Sequence, residues 1–470
     1  MRVTPRSSVE IQVRTGRLRG RRTGTVDEFL GIPYAAAPVG PRRFLPPGPA
    51  PAWGGVRDAT RFGAAPLQPG SARARLLQGD PGATDEDCLS LNVWTPADAP
   101  SGLPVLVWVH GGAFMNGAGS VPALRGASLA EAASAVVVTV NYRLGALGFA
   151  CHGSLGAETA GADTANLGLR DLVAALEWVR ENIAAFGGDP GRVTLGGESA
   201  GAMCVALLSL APAYSHLFAQ AVLHSGVPAL QSPAASERAV EALASRLGVR
   251  VPELVTVPGA RVLSATRDIA AEHRFWPTAT GWLASPLADL QSTAPVRPTL
   301  ITTTADEGTF FFVDDEWPAD VSRDKAVSVL TAMLGPAVAR RYAAAVQHAE
   351  TPSSAAAAVI TERLYTVPAD QWAGRAAATG SRVFRARYAH PGPAWDGRLG
   401  ATHTIEIPLL FGTFAASEFA VLYARDTRAR ELSATLQRAW SRFLHTGTPA
   451  TAEHPWRPWL PGDAYVQRFL

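Results

Sequence analysis

The stretch VTLGGESAGA (Val193–Ala202) joins an apolar, β-rich run to glycines, a serine and then helix-forming residues. A chain that passes directly from strand to helix in this way can place Ser199 on a tight turn, the nucleophile elbow, which lifts the hydroxyl clear of the sheet. Gly197 and Gly201 flank the serine where side chains would clash. The pentapeptide alone is weak evidence, because a chain with 44 glycines can match it by chance. The surrounding sequence therefore decides between a nucleophile and an ordinary glycine-rich loop.

The composition is typical of a globular protein, and the charge balance favours a small molecule as its partner. The 470 residues are 47% hydrophobic and 17% charged, and 42 basic against 40 acidic side chains leave a net charge of +2. This balance argues against disorder and against nucleic-acid binding. No apolar run has the flanks of a signal peptide or the roughly 20 residues needed to cross a bilayer, so we expect a cytoplasmic protein without a membrane span.

The cysteines point to a reduced protein without metal. Cys88, Cys151 and Cys204 are too few for a disulfide framework, and they lack the spacing of metal ligands. We therefore expect neither a metal nor a cofactor.

Strand-like and helix-like segments alternate along the chain. The strand-like runs cover 104–110, 135–142, 192–197, 218–226, 297–304 and 382–390, and the helical runs cover 169–182 and 202–210. Such alternation is typical of an α/β fold, a mostly parallel twisted sheet with helices on both faces. We predict a single domain over residues 1–470. Alanine-rich helical segments around 230–290 and 320–380 predict insertions that form a lid or a pocket wall.

Three chemically active positions follow strand-like runs, and the carboxyl ends of strands are where an open parallel sheet gathers its functional groups. Ser199, the pair Asp306 and Glu307, and His403 have the chain order serine, acid, histidine of an α/β-hydrolase triad. A serine hydroxyl needs a histidine to take its proton and an acid to orient that histidine. Either carboxylate can fill the acid role, because adjacent residues on an extended segment point oppositely. Four other histidines follow the acid candidates and stay open as alternatives to His403: His348, His390, His445 and His454.

The segment VWVHGGAF (Val107–Phe114) supplies another strand that ends in small residues. Backbone N–H groups can approach a ligand closely there. With the amide of Ala200 they can form an oxyanion hole, and the alternative is a plain glycine turn.

Together these stretches resemble the type-B carboxylesterases, the cholinesterase-like and p-nitrobenzyl-esterase-like α/β-hydrolases, nearly from end to end. Six ordered motifs carry the resemblance: FLGIPYA (29–35), EDCLSLNV (86–93), NYRLG (141–145), GESAG (197–201), DEGTF (306–310) and HTIEIP (403–408). The resemblance implies an α/β-hydrolase fold.

The same resemblance implies roles for individual residues. It implies Ser199 as nucleophile, Glu307 as acid and His403 as base. It implies three N–H donors for an oxyanion: Gly112, Ala113 and Ala200.

The resemblance also bears on Ser225, Glu198, Leu67 and Cys88. Ser225 matches a serine that supports the histidine in relatives, although it can equally be a turn residue. Glu198, beside the nucleophile, would influence the properties of the histidine or have only a structural role. Leu67 stands where family members often carry a cysteine that pairs with the cysteine of EDCL, so the resemblance implies no such disulfide for Cys88.

The sequence therefore predicts a serine carboxylesterase that hydrolyses esters of small to medium hydrophobic substrates through an acyl-enzyme intermediate. A carbamate hydrolase or an amidase with the same triad is the enzymatic alternative, because leaving-group preference depends on pocket shape. A non-catalytic binding protein on the same fold is the other alternative, and the presence of all three triad residues argues against it. The predicted partner is a small-molecule ester, and the chain is expected to be a monomer or a small homo-oligomer.

Overall fold

A computed structural model describes the protein at residues 8–155, 164–270, 272–285, 287–313, 321–348, 351–451, 455–460 and 465–470. The strands are β1 (Ser8–Val13), β2 (Gly16–Thr23), β3 (Val26–Pro33), β4 (Val56–Asp58), β5 (Ala65–Pro66), β6 (Thr84–Asp85), β7 (Ser90–Pro96), β8 (Leu103–Val109), β9 (Val136–Val140), β10 (Gly188–Glu198), β11 (Gln220–His224), β12 (Thr299–Thr304), β13 (Val383–Tyr388) and β14 (Gln467–Phe469). In β8 and β9 every residue is buried, as their unbroken apolar sequences predict.

Helices connect and cover these strands. The α-helices are α1 (Ala72–Gln78), α2 (Ala127–Ala133), α3 (Gly145–Phe149), α4 (Leu167–Asn182), α5 (Ala200–Ser209), α6 (Pro233–Leu247), α7 (Gly259–Ile269), α8 (Leu287–Ser292), α9 (Arg323–Leu334), α10 (Pro336–His348), α11 (Pro352–Ile360), α12 (Val367–Ala378), α13 (Ile407–Leu410), α14 (Ala420–Tyr423) and α15 (Ala429–Thr446). A π-helical segment, Thr361–Thr366, joins α11 to α12. Within the described ranges, none of the helices combines the length and the apolar character needed to cross a membrane.

The strands of the described residues form one large sheet and a small two-stranded one. The large sheet has twelve strands in the order β1-β2-β3-β7-β9-β8-β10-β11-β12-β13-β14, with β4 beside β2. From β9 to β14 in that order, neighbouring strands run parallel. The pairs from β1 to β9 are antiparallel. The predicted mostly parallel α/β sheet is confirmed.

Two separate cores lie on the two faces of this sheet. In β8, Val105 and Val107 pack into the core that α4 and α5 cover. The alternating residues Leu106 and Trp108 pack into the core that α2 and α15 cover. Because successive side chains of a strand point to opposite faces, this division shows that helices cover both sides of the sheet.

The regions predicted as insertions are largely helical where they are described. Residues 230–290 contain α6, α7 and the start of α8, and residues 320–380 contain α9 to α12. A third apolar cluster lies among α9, α10 and α11. Their role as a lid or pocket wall and the single-domain organisation stay predictions.

Cys88 is buried and forms no disulfide with any described cysteine. This agrees with the expectation drawn from Leu67 in the early loop. Burial raises the pKa of the Cys88 thiol well above its ordinary range, which makes it a poor nucleophile.

A buried ion pair connects the loop after β9 to α4. Arg143 donates from Nε to Oδ2 of Asp171 at 2.8 Å and from Nη2 to Oδ1 at 2.6 Å. Its Nη1 donates to the carbonyls of Arg43 and Leu45. Both charged groups are therefore buried with their hydrogen bonds made.

We predict that Asp171→Asn lowers the free energy of unfolding by about 3–5 kcal/mol, because it leaves the buried guanidinium without its counter-charge. Urea unfolding followed by tryptophan fluorescence measures this. As a control, Glu253→Gln in the exposed Arg250–Glu253 pair leaves the unfolding midpoint unchanged. Equal and small effects of the two substitutions would contradict the structural role of the buried pair.

Candidate active site

Ser199 lies on the turn between β10 and α5 in a strained conformation, with φ 54° and ψ −122°. Its N–H donates to the carbonyl of His224, the last residue of β11, at 2.8 Å. A Cβ added at Gly197 would lie 2.6 Å from the backbone of Gly201, and one added at Gly201 would lie 2.1 Å from the carbonyl oxygen of Val109. The two glycines therefore allow β8, β10 and α5 to approach closely enough to hold the turn.

Glu307 and His403 meet across the loops that follow β12 and β13. The Nδ1 of His403 lies 2.6 Å from Oε2 of Glu307. The other oxygen, Oε1, accepts hydrogen bonds from the N–H of Thr304 at 2.7 Å and from Oγ of Ser225 at 2.6 Å. The carboxylate is fully buried, so these bonds fix its orientation and that of the imidazole.

Asp306, the other acid candidate, is bonded to the loop that leads to His403. Its Oδ2 accepts the N–H of Ala401 at 2.8 Å, and its own N–H donates to the carbonyl of Ala401 at 3.0 Å. A Cβ added at Gly400 would lie 2.6 Å from Oδ2 of Asp306. Asp306 therefore holds the loop, while the adjacent Glu307 contacts the imidazole.

The alternative histidines lie elsewhere. His390 pairs with a carboxylate through Nε2 at 2.9 Å, and His445 bonds a backbone carbonyl at 2.9 Å. His348 is exposed at the end of α10, and His454 lies outside the described residues. Among the described candidates, His403 is the histidine that contacts the buried carboxylate of Glu307.

The carboxylate of Glu198 contacts the other imidazole nitrogen, Nε2 of His403. Its Oε1 lies 3.0 Å from Nε2 of His403 and accepts a hydrogen bond from Oγ1 of Thr404 at 2.7 Å. Oγ of Ser199 makes no hydrogen bond to any described residue. In this arrangement Nε2 is therefore paired with Glu198 and not with the predicted nucleophile.

Burial and charge shift the pKa values of this pair. Burial raises the pKa of Glu198 to about 7, although His403 and the hydrogen bond from Thr404 act in the opposite direction. Burial alone would lower the pKa of His403, but the carboxylates of Glu198 and Glu307 outweigh it and raise that pKa to about 9. The two carboxylates in this arrangement therefore favour the charged form of His403.

The predicted oxyanion turn lies beside Ser199. Gly112 has φ 116° and Ala113 has φ 55°, so both depart from ordinary backbone conformations. A Cβ added at Gly111 would lie 3.0 Å from Cβ of Ser199. The N–H groups of Gly112, Ala113 and Ala200 donate no hydrogen bond to any described residue, which leaves them available to a ligand oxygen.

Two aromatic rings for which the sequence predicted no role pack against the imidazole. The centroids of Phe310 and Tyr365 lie 5.4 and 5.0 Å from that of His403. Phe310 belongs to the DEGTF motif, but Tyr365 comes from the π-helical segment within a region predicted only as an insertion. The sequence also predicted no role for Thr404, which directly follows His403 and donates a hydrogen bond to Glu198.

The arrangement contains the parts of an acyl-transfer site. It has a hydroxyl on a strained turn, an imidazole oriented by a buried carboxylate, and N–H donors without partners. Within the described residues, no cluster of three or more His, Cys, Asp or Glu side chains could hold a metal ion.

Comparisons with known proteins agree with this chemistry. The model of the carboxylesterase family matches residues 7–468. The chain is 34% identical to the para-nitrobenzyl esterase of Bacillus subtilis, covering 94% of this chain and 90% of the relative. It is 35% identical to the phenmedipham hydrolase of Pseudarthrobacter oxydans, covering 93% and 89%. Its structure is similar to that of a carboxylesterase from Geobacillus stearothermophilus, with a TM-score of 0.84, 34% identity and coverage of 98% and 96%.

Proposed function

The chain belongs to the carboxylesterase family and is a carboxylic ester hydrolase, and we propose that it acts through a catalytic triad of Ser199, His403 and Glu307. The observation that carries this proposal is the 2.6 Å hydrogen bond between Nδ1 of His403 and Oε2 of Glu307. A buried carboxylate in this position orients the imidazole and stabilises its charged form when it accepts the serine proton.

The proposed reaction has two halves. Oγ of Ser199 attacks the ester carbonyl carbon while its proton passes to Nε2 of His403, and three backbone N–H groups bind the resulting oxyanion: Gly112, Ala113 and Ala200. The carbon–oxygen bond to the alcohol breaks, and His403 gives its proton to the departing oxygen. Water then attacks the acyl-enzyme with His403 as base, which releases the carboxylic acid and restores Ser199.

Glu198 controls access to Nε2 in this scheme. For His403 to accept the proton of Ser199, Nε2 must exchange its contact with Glu198 for one with the serine. The pKa of Glu198, about 7, allows its carboxyl group to hold a proton near neutral pH. A protonated Glu198 no longer stabilises the imidazolium, so we propose that it acts as a positioning residue, as does Ser225 on Glu307.

Aromatic and apolar surroundings support small to medium hydrophobic esters as substrates. The rings of Phe310 and Tyr365 beside His403 provide such a surface. Carbamate hydrolysis is a second candidate, because a relative is named phenmedipham hydrolase and its substrate is a carbamate. The lid role of the helical insertions, the cytoplasmic location and the monomer or small homo-oligomer stay predictions.

The triad proposal predicts that Ser199→Ala lowers kcat by at least about 10³-fold while the protein stays folded. Glu307→Gln should cost far more activity than Asp306→Asn, because only Glu307 contacts the imidazole. Hydrolysis of p-nitrophenyl acetate, with circular dichroism as the folding control, measures both effects. A folded Ser199→Ala protein that retains most of its activity would rule out the nucleophile, and a greater loss in Asp306→Asn would move the triad acid.

The pH profile tests the base. His403 must be neutral to accept a proton, and the two carboxylates raise its pKa, so kcat/KM should rise with pH through a value above the ordinary histidine pKa. Glu198→Gln removes one of these charges and lowers the pKa of His403. The rising limb should therefore move to lower pH by about one unit. An unmoved or upward-shifted limb in Glu198→Gln contradicts the proposed interaction.

The oxyanion turn predicts which alcohols can leave. Consecutive small residues in HGGA leave room beside the alcohol, so slow but measurable hydrolysis of tert-butyl acetate is expected. Ala113→Val should reduce turnover of tert-butyl acetate more than that of n-butyl acetate by crowding this space. Gas chromatography of the released alcohols gives the ratio, with Ser199→Ala as the background. Enzyme active on n-butyl acetate but without tert-butyl acetate hydrolysis above that background would refute the prediction.

A further inference from the structure

A cleft of about 510 Å³ lies behind the loops that carry the proposed triad. Asp306, Thr309 and Gly400 line one side of it, and neither Ser199 nor His403 is among its lining residues. Its volume is in the range of small-molecule binding sites. The cleft is therefore a candidate site separate from the ester site.

Two arginines line this cleft, and neither forms an ion pair with a described residue. Arg387, on β13, uses Nη2 for a long hydrogen bond of 3.3 Å to Oγ1 of Thr366, and its Nε is buried without any hydrogen-bond partner. Arg398, at the exposed edge of the cleft, forms no ion pair with a described residue. Nε is closed to the cleft, so the terminal nitrogens of Arg387 and the exposed guanidinium of Arg398 are the donors that a planar carboxylate can reach.

The acidic side chains that line the cleft already have partners within the protein. Asp306 accepts the N–H of Ala401, and Glu362 lies 3.5 Å from Arg363. Their negative charges disfavour a dianion more than a monoanion. Alanines and a proline in the lining provide an apolar surface for the body of a ligand: Ala305, Ala357, Ala358 and Pro391.

The π-helical segment links the cleft to the proposed base. Thr361, Glu362 and Thr366 of the π-helical segment line the cleft. Tyr365 of the same segment packs its ring 5.0 Å from the ring of His403. A π-helical turn inside an α-helical region is often found at functional sites, because it redirects side chains relative to their neighbours.

We propose that this cleft binds a small organic carboxylate through Arg387 and Arg398, and that its occupation changes kcat through the segment carrying Tyr365. Carboxylates are one of the two product classes of ester hydrolysis, so the site provides product feedback. The effect on turnover rests on the proposed function, whereas binding itself does not.

Calorimetric titration of the full chain with sodium benzoate tests binding, after Ser199 has been blocked with phenylmethylsulfonyl fluoride to exclude the ester site. Saturable binding is expected, with affinity at least tenfold weaker for Arg387→Gln and unchanged for Arg375→Gln, an exposed arginine of α12 outside the cleft. Arg398→Gln should also weaken binding, and it is the test variant if Arg387→Gln does not fold. Neutral benzamide and inorganic phosphate should bind much more weakly. Absence of saturable binding, equal affinity in all variants, or preference for phosphate would overturn the proposal.

Turnover is measured on unblocked enzyme at saturating p-nitrophenyl acetate. Benzoate should change kcat at least twofold in the parent and in Arg375→Gln, but not in Arg387→Gln. Benzoate that only raises KM, equally in all variants, would overturn the feedback role. A failure of the triad proposal is distinguishable, because Ser199→Ala would then retain activity, whereas benzoate binding that is weakened in Arg387→Gln and unchanged in Arg375→Gln would still show the cleft site.

Discussion

The strained backbone of Ser199 requires close packing of the strands and the helix around its turn. A serine with φ 54° is held only if its surroundings fix the turn on every side. The N–H of Ser199 is bonded to the end of β11, and a Cβ added at Gly226 would lie 2.3 Å from the carbonyl oxygen of Ser199. With Gly197 and Gly201 also closed to side chains, β8, β10, β11 and α5 have little freedom to move apart. The central order of the sheet and the position of the half-buried Ser199 therefore depend on each other.

The neighbouring strands then place the remaining chemistry. Because β12 and β13 follow β11 in the sheet, the loops at their carboxyl ends meet beside the serine turn. Asp306 ties the two loops through Ala401. A buried contact of 2.8 Å between Nδ1 of His224 and Oε1 of Glu406 ties the histidine loop back to β11. The position of His403 is thus set by the sheet and by polar contacts on both sides of its loop.

Much of this architecture could be predicted from the sequence, because strand runs, glycine spacing and chain order are local or periodic signals. The choice between Asp306 and Glu307 could not, since alternation on an extended strand leaves both directions open. In the structure a 3-10 helix begins at Glu307, which separates the directions of the two carboxylates. The contact between Glu198 and His403 and the approach of Tyr365 join residues far apart in sequence. Such contacts arise from tertiary packing, and no motif encodes them.

In the proposed mechanism Ser199 is the nucleophile and His403 activates it. The most direct test is reaction of the folded enzyme with diethyl p-nitrophenyl phosphate, which traps an activated serine as a stable phosphoryl ester, followed by tandem mass spectrometry of its peptides. We expect one diethylphosphoryl group per chain, on Ser199, with loss of labelling in His403→Ala. Labelling of another residue, or undiminished labelling of Ser199 in His403→Ala, would contradict it.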